Sequence, residues 1–354
     1  MRNFKKGPGT LVIVRLVITI MFVSLLASNA MAFKFQHIVS FGDSLTDHNG
    51  LIRYVPTVPE AWTNGDVWVE YLARDFQISP ENLENYAIGG AMTRNHKSDQ
   101  IQAMIPNLGF IGQVNTYLAS NPEFEPSKTL FTVLIGGNNF FKWFQEEYIL
   151  LSTVDEINKS VEEMISKAIN DIEEGIKSLV DKNAMHILVV NLPDLGNTPY
   201  LNHYPNFNNQ FSQFVDSFNQ SLFETVNELD SGYTETEFYT FDVFTYMNEL
   251  IESGLFPDTT GTYMILNDVL DPTTENYGEP EKYLFWDSVH PMTKAHELIA
   301  KDLGSHLEKD NTYTYEDVQA AIDNALKQWD IKNDKKIGLE EAIHALKVSS
   351  KMPQ

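Results

Sequence analysis

Four short apolar runs, each stopped by glycine or proline, constrain the fold of this chain more than any other feature. They lie at 38–41 before Gly42, at 83–88 before Gly89-Gly90, at 130–135 before Gly136-Gly137, and at 186–192 before Pro193 and Gly196. Runs this short and this apolar read as strands covered on both faces. Helical spacing fills the intervals. Trp68, Leu72 and Phe76 recur a turn apart over 66–76, and 110–119 reads as a further helix. Val154, Ile157, Val161, Ile165, Ala168, Ile172, Ile176 and Leu179 recur at three and four residues, with Asp155 and Glu156 loading the first turn. A second long helix is expected over 207–229, a short strand over 238–241 and a helix over 291–307. Alternation of this kind predicts an α/β fold: a three-layer α/β/α sandwich around a central parallel sheet. The stretch 254–281, rich in Gly, Pro, Thr and Asn, is expected to be a long loop.

The two ends of the 354-residue chain read differently from its middle. Arg2, Lys5 and Lys6 precede an apolar run over 16–27, and Ala30-Met31-Ala32 supplies small residues where a signal peptidase reads. That is the pattern of a signal peptide over 1–32, too short in its apolar part to be read as a membrane span. The expected domain is 33–309, exported to the periplasm or beyond, with no stable membrane span after cleavage. Nothing in the chain can form a disulfide or a thiolate metal site, because it has no cysteine. A formal net charge of -24 disfavours nucleic acid and anionic membrane surfaces as partners.

In open parallel sheets, ligands sit beyond the carboxyl ends of the strands. Gly42-Asp43-Ser44, Gly89-Gly90 and Gly136-Gly137-Asn138 each follow an expected strand and so gather on one rim. Ser44 is a candidate nucleophile, and a serine hydroxyl needs a base. Of nine histidines, His290 stands out in Phe285-Trp286-Asp287-Ser288-Val289-His290-Pro291, where Asp287 is spaced to orient the same imidazole. The backbone N–H groups of Ser44 and Gly90 and the side-chain amide of Asn138 are candidate donors to an oxyanion. The plainer alternative is that Ser44 and Asp287 each cap a helix. His48 lies near Ser44 in sequence and reads as a loop or pocket-rim residue. No histidine spacing points to a catalytic metal, and no cofactor is expected. Trp62, Trp143 and Phe140-Phe141 are candidates for an acyl pocket, with the core as the alternative.

These residues resemble the GDSL (SGNH) family of serine esterases and lipases. Phe41-Gly42-Asp43-Ser44-Leu45 is similar to the family's first block, and Asn85-Tyr86-Ala87-Ile88-Gly89-Gly90-Ala91 to its second. Ile135-Gly136-Gly137-Asn138-Asn139 resembles the third, and Asp287-Ser288-Val289-His290-Pro291 the last. The resemblance covers about 35–307. It implies a flavodoxin-like sheet, a Ser44-His290-Asp287 triad and an oxyanion hole of Ser44, Gly90 and Asn138. The first and last blocks are most similar to exported bacterial phospholipases, lysophospholipases and glycerophospholipid:cholesterol acyltransferases. The implied substrate is a small-molecule ester or a phospholipid, with acyl transfer as a variant. A carbohydrate acetylesterase and a non-catalytic binding protein on the same scaffold are the alternatives. Two departures stand out: Asn138-Asn139 where Asn-Asp is usual, and Asp47-His48-Asn49-Gly50 where Asp-x-Gly-Asn is frequent.

The tail over 310–354 is expected to form a helical hairpin. Its loop resembles an EF-hand or dockerin loop, with Asp330, Asp334 and Glu341 at positions 1, 5 and 12 as calcium candidates. Lys332 and Lys335 stand where an oxygen and the turn glycine are wanted, so the loop reads as degenerate. Oligomeric state is left open.

Overall fold

The four apolar runs become four strands of one five-stranded sheet: β1 His37–Gly42, β2 Leu83–Asn85, β3 Thr129–Leu134 and β4 His186–Val190, with β5 Glu237–Phe241 as the fifth. The computed structural model describes residues 35–95, 105–268, 271–276 and 278–309. The expected leader, and the tail with Asp330, Asp334 and Glu341, lie outside the described residues. Every pairing in the sheet is parallel, in the order β2-β1-β3-β4-β5. That is the flavodoxin-like order. β1 pairs on one side with β2 and on the other with β3, so the chain reverses direction across the sheet between them. A crevice opens there beyond the strand ends.

β3 and β4 are buried at every position, as their unbroken apolar runs require. Side chains alternate between faces. Val39, Phe41, Phe131, Val133, Ile187 and Val189 share a cluster with Phe110, Val161, Ile172, Phe211 and Phe218. These come from α2 Phe110–Ala119, α4 Val154–Val180 and α6 Asn208–Gly232. In the opposite direction Leu134 and Val190 meet Trp68, Met247 and Ile299. These belong to α1 Trp68–Asp75, α7 Val243–Glu252 and α8 Thr293–Lys309. Two remaining helices, α3 Gly137–Glu146 and the one-turn α5 Pro199–Asn202, stand above the strand ends.

Three expectations shift. The strand expected over 83–88 keeps its ladder only to Asn85, although Tyr86 N–H and Ile88 N–H still donate to Ser40 and Gly42 carbonyls. The helix expected from Pro291 starts at Thr293, because Pro291 bridges Phe285 in extended form. The stretch 254–281 is not a plain loop. It contains β6 Asp258–Thr262, which pairs parallel with β9 Tyr283–Phe285, and β7 Met264–Asp268, antiparallel to β8 Asp271–Asn276. Sequences such as Asp258-Thr259-Thr260-Gly261-Thr262 have no apolar run to signal a strand; only backbone pairing makes them one.

Candidate active site

The turn after β1 is held from four directions. Gln113 of α2 accepts Gly42 N–H at 2.9 Å and donates to Gly42 O at 2.8 Å. Trp68 Nε1–H donates to Thr46 Oγ1, and Asn85 Nδ2–H to Thr46 O. A Cβ on Gly42 would lie 2.5 Å from Leu134 O, so only glycine lets β1 and β3 run this close at their ends. Asp43, not Ser44, caps the turn: its carboxylate accepts Leu45 N–H and its carbonyl accepts the N–H groups of Thr46 and Asp47. The capping alternative for Ser44 is therefore not what the fold uses.

Ser44 Oγ lies 2.8 Å from His290 Nε2, across 246 residues of chain. His290 Nδ1 lies 2.7 Å from Asp287 Oδ2. The other Asp287 oxygen accepts His290 N–H at 2.8 Å and Val289 N–H at 2.9 Å. Asp287 and His290 are buried, at 3% and 9% exposure, so the bond between them is shielded from water. The unexpected β6–β9 ribbon supports it. Met264 N–H donates to Trp286 O, and Trp286 N–H to His290 O. Thr63 Oγ1 donates to Pro291 O, and Asn64 Oδ1 accepts Thr293 N–H. The Trp62 ring lies 5.2 Å from the imidazole, centroid to centroid. A hydroxyl in such a relay can pass its proton to the imidazole as it attacks, while the carboxylate orients the ring and balances its charge.

Asp47, which opens the stretch that departs from the family pattern, has a part that sequence reasoning missed. Its carboxylate accepts Gly50 N–H at 2.5 Å, Leu51 N–H at 3.0 Å and Gly89 N–H at 2.6 Å. The departure at 47–50 thus closes on its own aspartate. The Gly89 N–H is committed to Asp47, which leaves Gly90 as the glycine donor candidate. Gly90 has φ +78, a conformation that favours glycine. On the other side of the crevice, Asn138 stands in the first turn of α3. One of its amide hydrogens goes to Ala91 O at 2.9 Å, fixing the plane of the group.

The residue after it is anchored more deeply. Asn139 Oδ1 accepts Thr93 N–H, and Asn139 Nδ2 donates to Thr93 Oγ1. Thr93 Oγ1 donates to Asp171 Oδ2, and Asp171 Oδ1 accepts Arg94 Nε–H. Asp171, from α4, supplies a buried carboxylate one residue beyond the amide that departs from the family pattern.

Ser44, His290, Gly90 and Asn138 line one cavity of about 480 Å³, within the range of small-molecule sites. Trp62 and Phe141 line it too, as the acyl-pocket reading expects; Phe140 and Trp143 are core residues instead. Asp43 faces the cavity from its buried position, and burial pushes its carboxyl up to about 7. His48 does not take part. Its Nδ1 lies 2.8 Å from Glu70 Oε2, and this partner raises its pKa. Among the described residues, His48, Asp66 and Glu70 are the one group close enough to hold an ion together. Glu70 is engaged by His48 and Val67 N–H, and Asp66 by Arg74, so each has a protein partner already.

The family model for GDSL-like lipases and acylhydrolases matches residues 38–303. Among curated proteins, the thermolabile hemolysin of Vibrio parahaemolyticus is 26% identical over 302 residues, covering 76% of this chain and 63% of its own. The secreted effector protein SseJ of Salmonella typhimurium is 26% identical over 288 residues, with the same coverage of 76% and 63%. The phosphatidylcholine-sterol acyltransferase of Aeromonas hydrophila is 25% identical over 325 residues, covering 77% of this chain and 90% of its own. The chain thus spans 63% of the length of the first two.

Proposed function

The chain belongs to the GDSL-like lipase and acylhydrolase family, and from that premise we propose that it is an exported serine hydrolase of lipid carboxylic esters. The observation that carries this reading is the continuous relay Ser44–His290–Asp287, at 2.8 and 2.7 Å, opening into a cavity that Trp62, Met92 and Phe141 also line. Ser44 attacks the acyl carbonyl while His290 takes its proton. His290 then returns that proton to the leaving alcohol, and Asp287 holds the ring throughout. The N–H groups of Ser44 and Gly90 and the amide of Asn138 stabilise the tetrahedral oxyanion. Water releases the acid in the second half, again with His290 as base. An alcohol in place of water makes the product a new ester; the likeness to a phosphatidylcholine-sterol acyltransferase supports that variant.

The basic and apolar start of the chain supports a signal peptide over 1–32, a hydrolase domain over 33–309 and a separate tail. The likeness to a secreted effector supports export. Ser44→Ala tests the mechanism. Hydrolysis of p-nitrophenyl esters is expected to fall by at least three orders of magnitude, with an unchanged melting temperature. Wild-type protein with neither turnover nor labelling by a serine-reactive phosphonate overturns the enzyme reading in favour of a binding protein. A preference for acetylated sugars with no long-chain activity overturns the lipid reading and favours the carbohydrate esterase.

A further inference from the structure

Helix α3 divides its side chains sharply. Asn139, Phe140, Trp143 and Phe144 are buried. Asn138, Phe141, Lys142, Gln145 and Glu146 line the same cavity as Ser44 and His290. Their spacing of three and four residues puts them in one stripe along the helix. With 1.5 Å of rise per residue, Lys142 lies about 6 Å along the axis from Asn138, and Glu146 about 12 Å. Among the described residues lining the cavity, Lys142 is the one Lys or Arg. Its side chain is only 12% exposed, and its Nζ donates to Glu146 Oε1 at 2.6 Å. Glu146 is 52% exposed at the outer end of the stripe. The rings of Phe141 and Tyr200 meet edge to face at 5.8 Å beside it, both on the cavity wall.

The stripe reads outward as amide, cation, anion. A zwitterionic phospholipid reads outward from its ester as carbonyl, phosphate, ammonium. Five or six single bonds separate the ester carbonyl carbon from phosphorus, about 6 to 7 Å when extended. Four more bonds reach the nitrogen, adding roughly 5 Å. The two series match in order and sign, and the rise between the side-chain roots on the helix is of the same order as the headgroup spacing. Lysine has three donors; with one on Glu146, two remain for phosphate oxygens. Glu146 keeps a second oxygen for the ammonium, and the Tyr200 ring offers a face to the same cation. A net-neutral headgroup also suits a chain of charge -24, which repels anionic ones.

We propose that α3 carries a headgroup subsite in which Lys142 takes the phosphate and Glu146 the ammonium of a zwitterionic phospholipid. This rests on the lipid-ester reading above and adds to it the class of headgroup.

The test measures kcat/KM of the full-length protein on lysophosphatidylcholine, lysophosphatidylglycerol, monoacylglycerol and a p-nitrophenyl ester, all with one acyl chain. Lys142→Met is expected to lower the ratio of lysophosphatidylcholine to monoacylglycerol about tenfold or more, the order of one charged hydrogen bond. Lys142→Arg, which keeps the cation, is expected to retain more of that ratio. Glu146→Gln is expected to lower the ratio of lysophosphatidylcholine to lysophosphatidylglycerol several-fold. If both ratios stay at wild-type values in these variants, the subsite is overturned. If the wild type cleaves the p-nitrophenyl ester and none of the three lipids, the lipid-ester reading itself is overturned.

Discussion

Asp43 and Asp47 flank Ser44 within the same short turn, and burial pushes both carboxyls up. Asp47 gathers three N–H groups, whereas Asp43 is buried with its carboxylate accepting one, from Leu45. With less to offset its desolvation, the Asp43 carboxyl keeps a proton up to about pH 7 in the folded protein. Unfolded, it releases that proton near its ordinary 3.8. Between these values the folded state binds the extra proton, so its stability falls as pH rises, on the order of 1 kcal/mol per pH unit. Melting curves of wild type and Asp43→Asn from pH 4 to 7 should diverge, with the wild type losing ground toward neutrality. Parallel curves would show that Asp43 is ionised in the fold. The four motif blocks were legible because the proposed nucleophile, base and donors need particular chemistries at particular places in the chain. What holds Gly89 was not, because it depends on where Asp47 spends its oxygens, a contact across 42 residues.

Among the elements, the side of the cavity that holds Gly90 and Asn138 is assembled by a chain of side chains rather than by the sheet. Thr93 links the segment after Gly90 to α3 through Asn139, and to α4 through Asp171, which Arg94 pairs at 2.8 Å. Asp171→Asn keeps the volume and removes the charge that holds Thr93 and Arg94 together. The proposed donors Gly90 and Asn138 should then drift relative to each other. We expect kcat to fall roughly tenfold with KM little changed, since these donors act most on charge that develops in the transition state. Equal changes in both constants would point to a general loosening instead. Sequence patterning found α2 to the residue and α4 almost so, because their apolar positions repeat every turn. It missed β6 and β9, the ribbon behind Asp287 and His290. Short polar strands owe their existence to a partner distant in sequence, and periodicity sees only neighbours.

Over the whole molecule, two buried groups pull stability in opposite directions with pH. His296 of α8 is 2% exposed, and both its ring nitrogens are without a hydrogen-bond partner among the described residues. Burial pushes its pKa down to about 3, with the neighbouring His290 adding to the effect. Here the unfolded chain takes up the proton first, near 6.5, so stability falls as pH drops from there toward 3. From about 3.8 to 6.5 the slopes from Asp43 and His296 oppose each other. The wild type should therefore show less pH dependence from this pair than either group would give alone. His296→Leu should remove the acid-side loss and leave stability rising as pH falls through that window, as measured by urea unfolding. A variant whose profile matches that of the wild type would contradict a neutral, buried His296. The relay has a further consequence, for the order in which activity appears. Ser44 and its turn follow the first strand, whereas Asp287 and His290 come late in the chain and are seated by the ribbon, with Thr63 and Asn64 bonding the segment just after them. A half-made or half-folded chain holds a serine without a base. On the mechanism proposed above, hydrolytic capacity arrives with the closing contact of the fold, and an emerging chain is chemically silent.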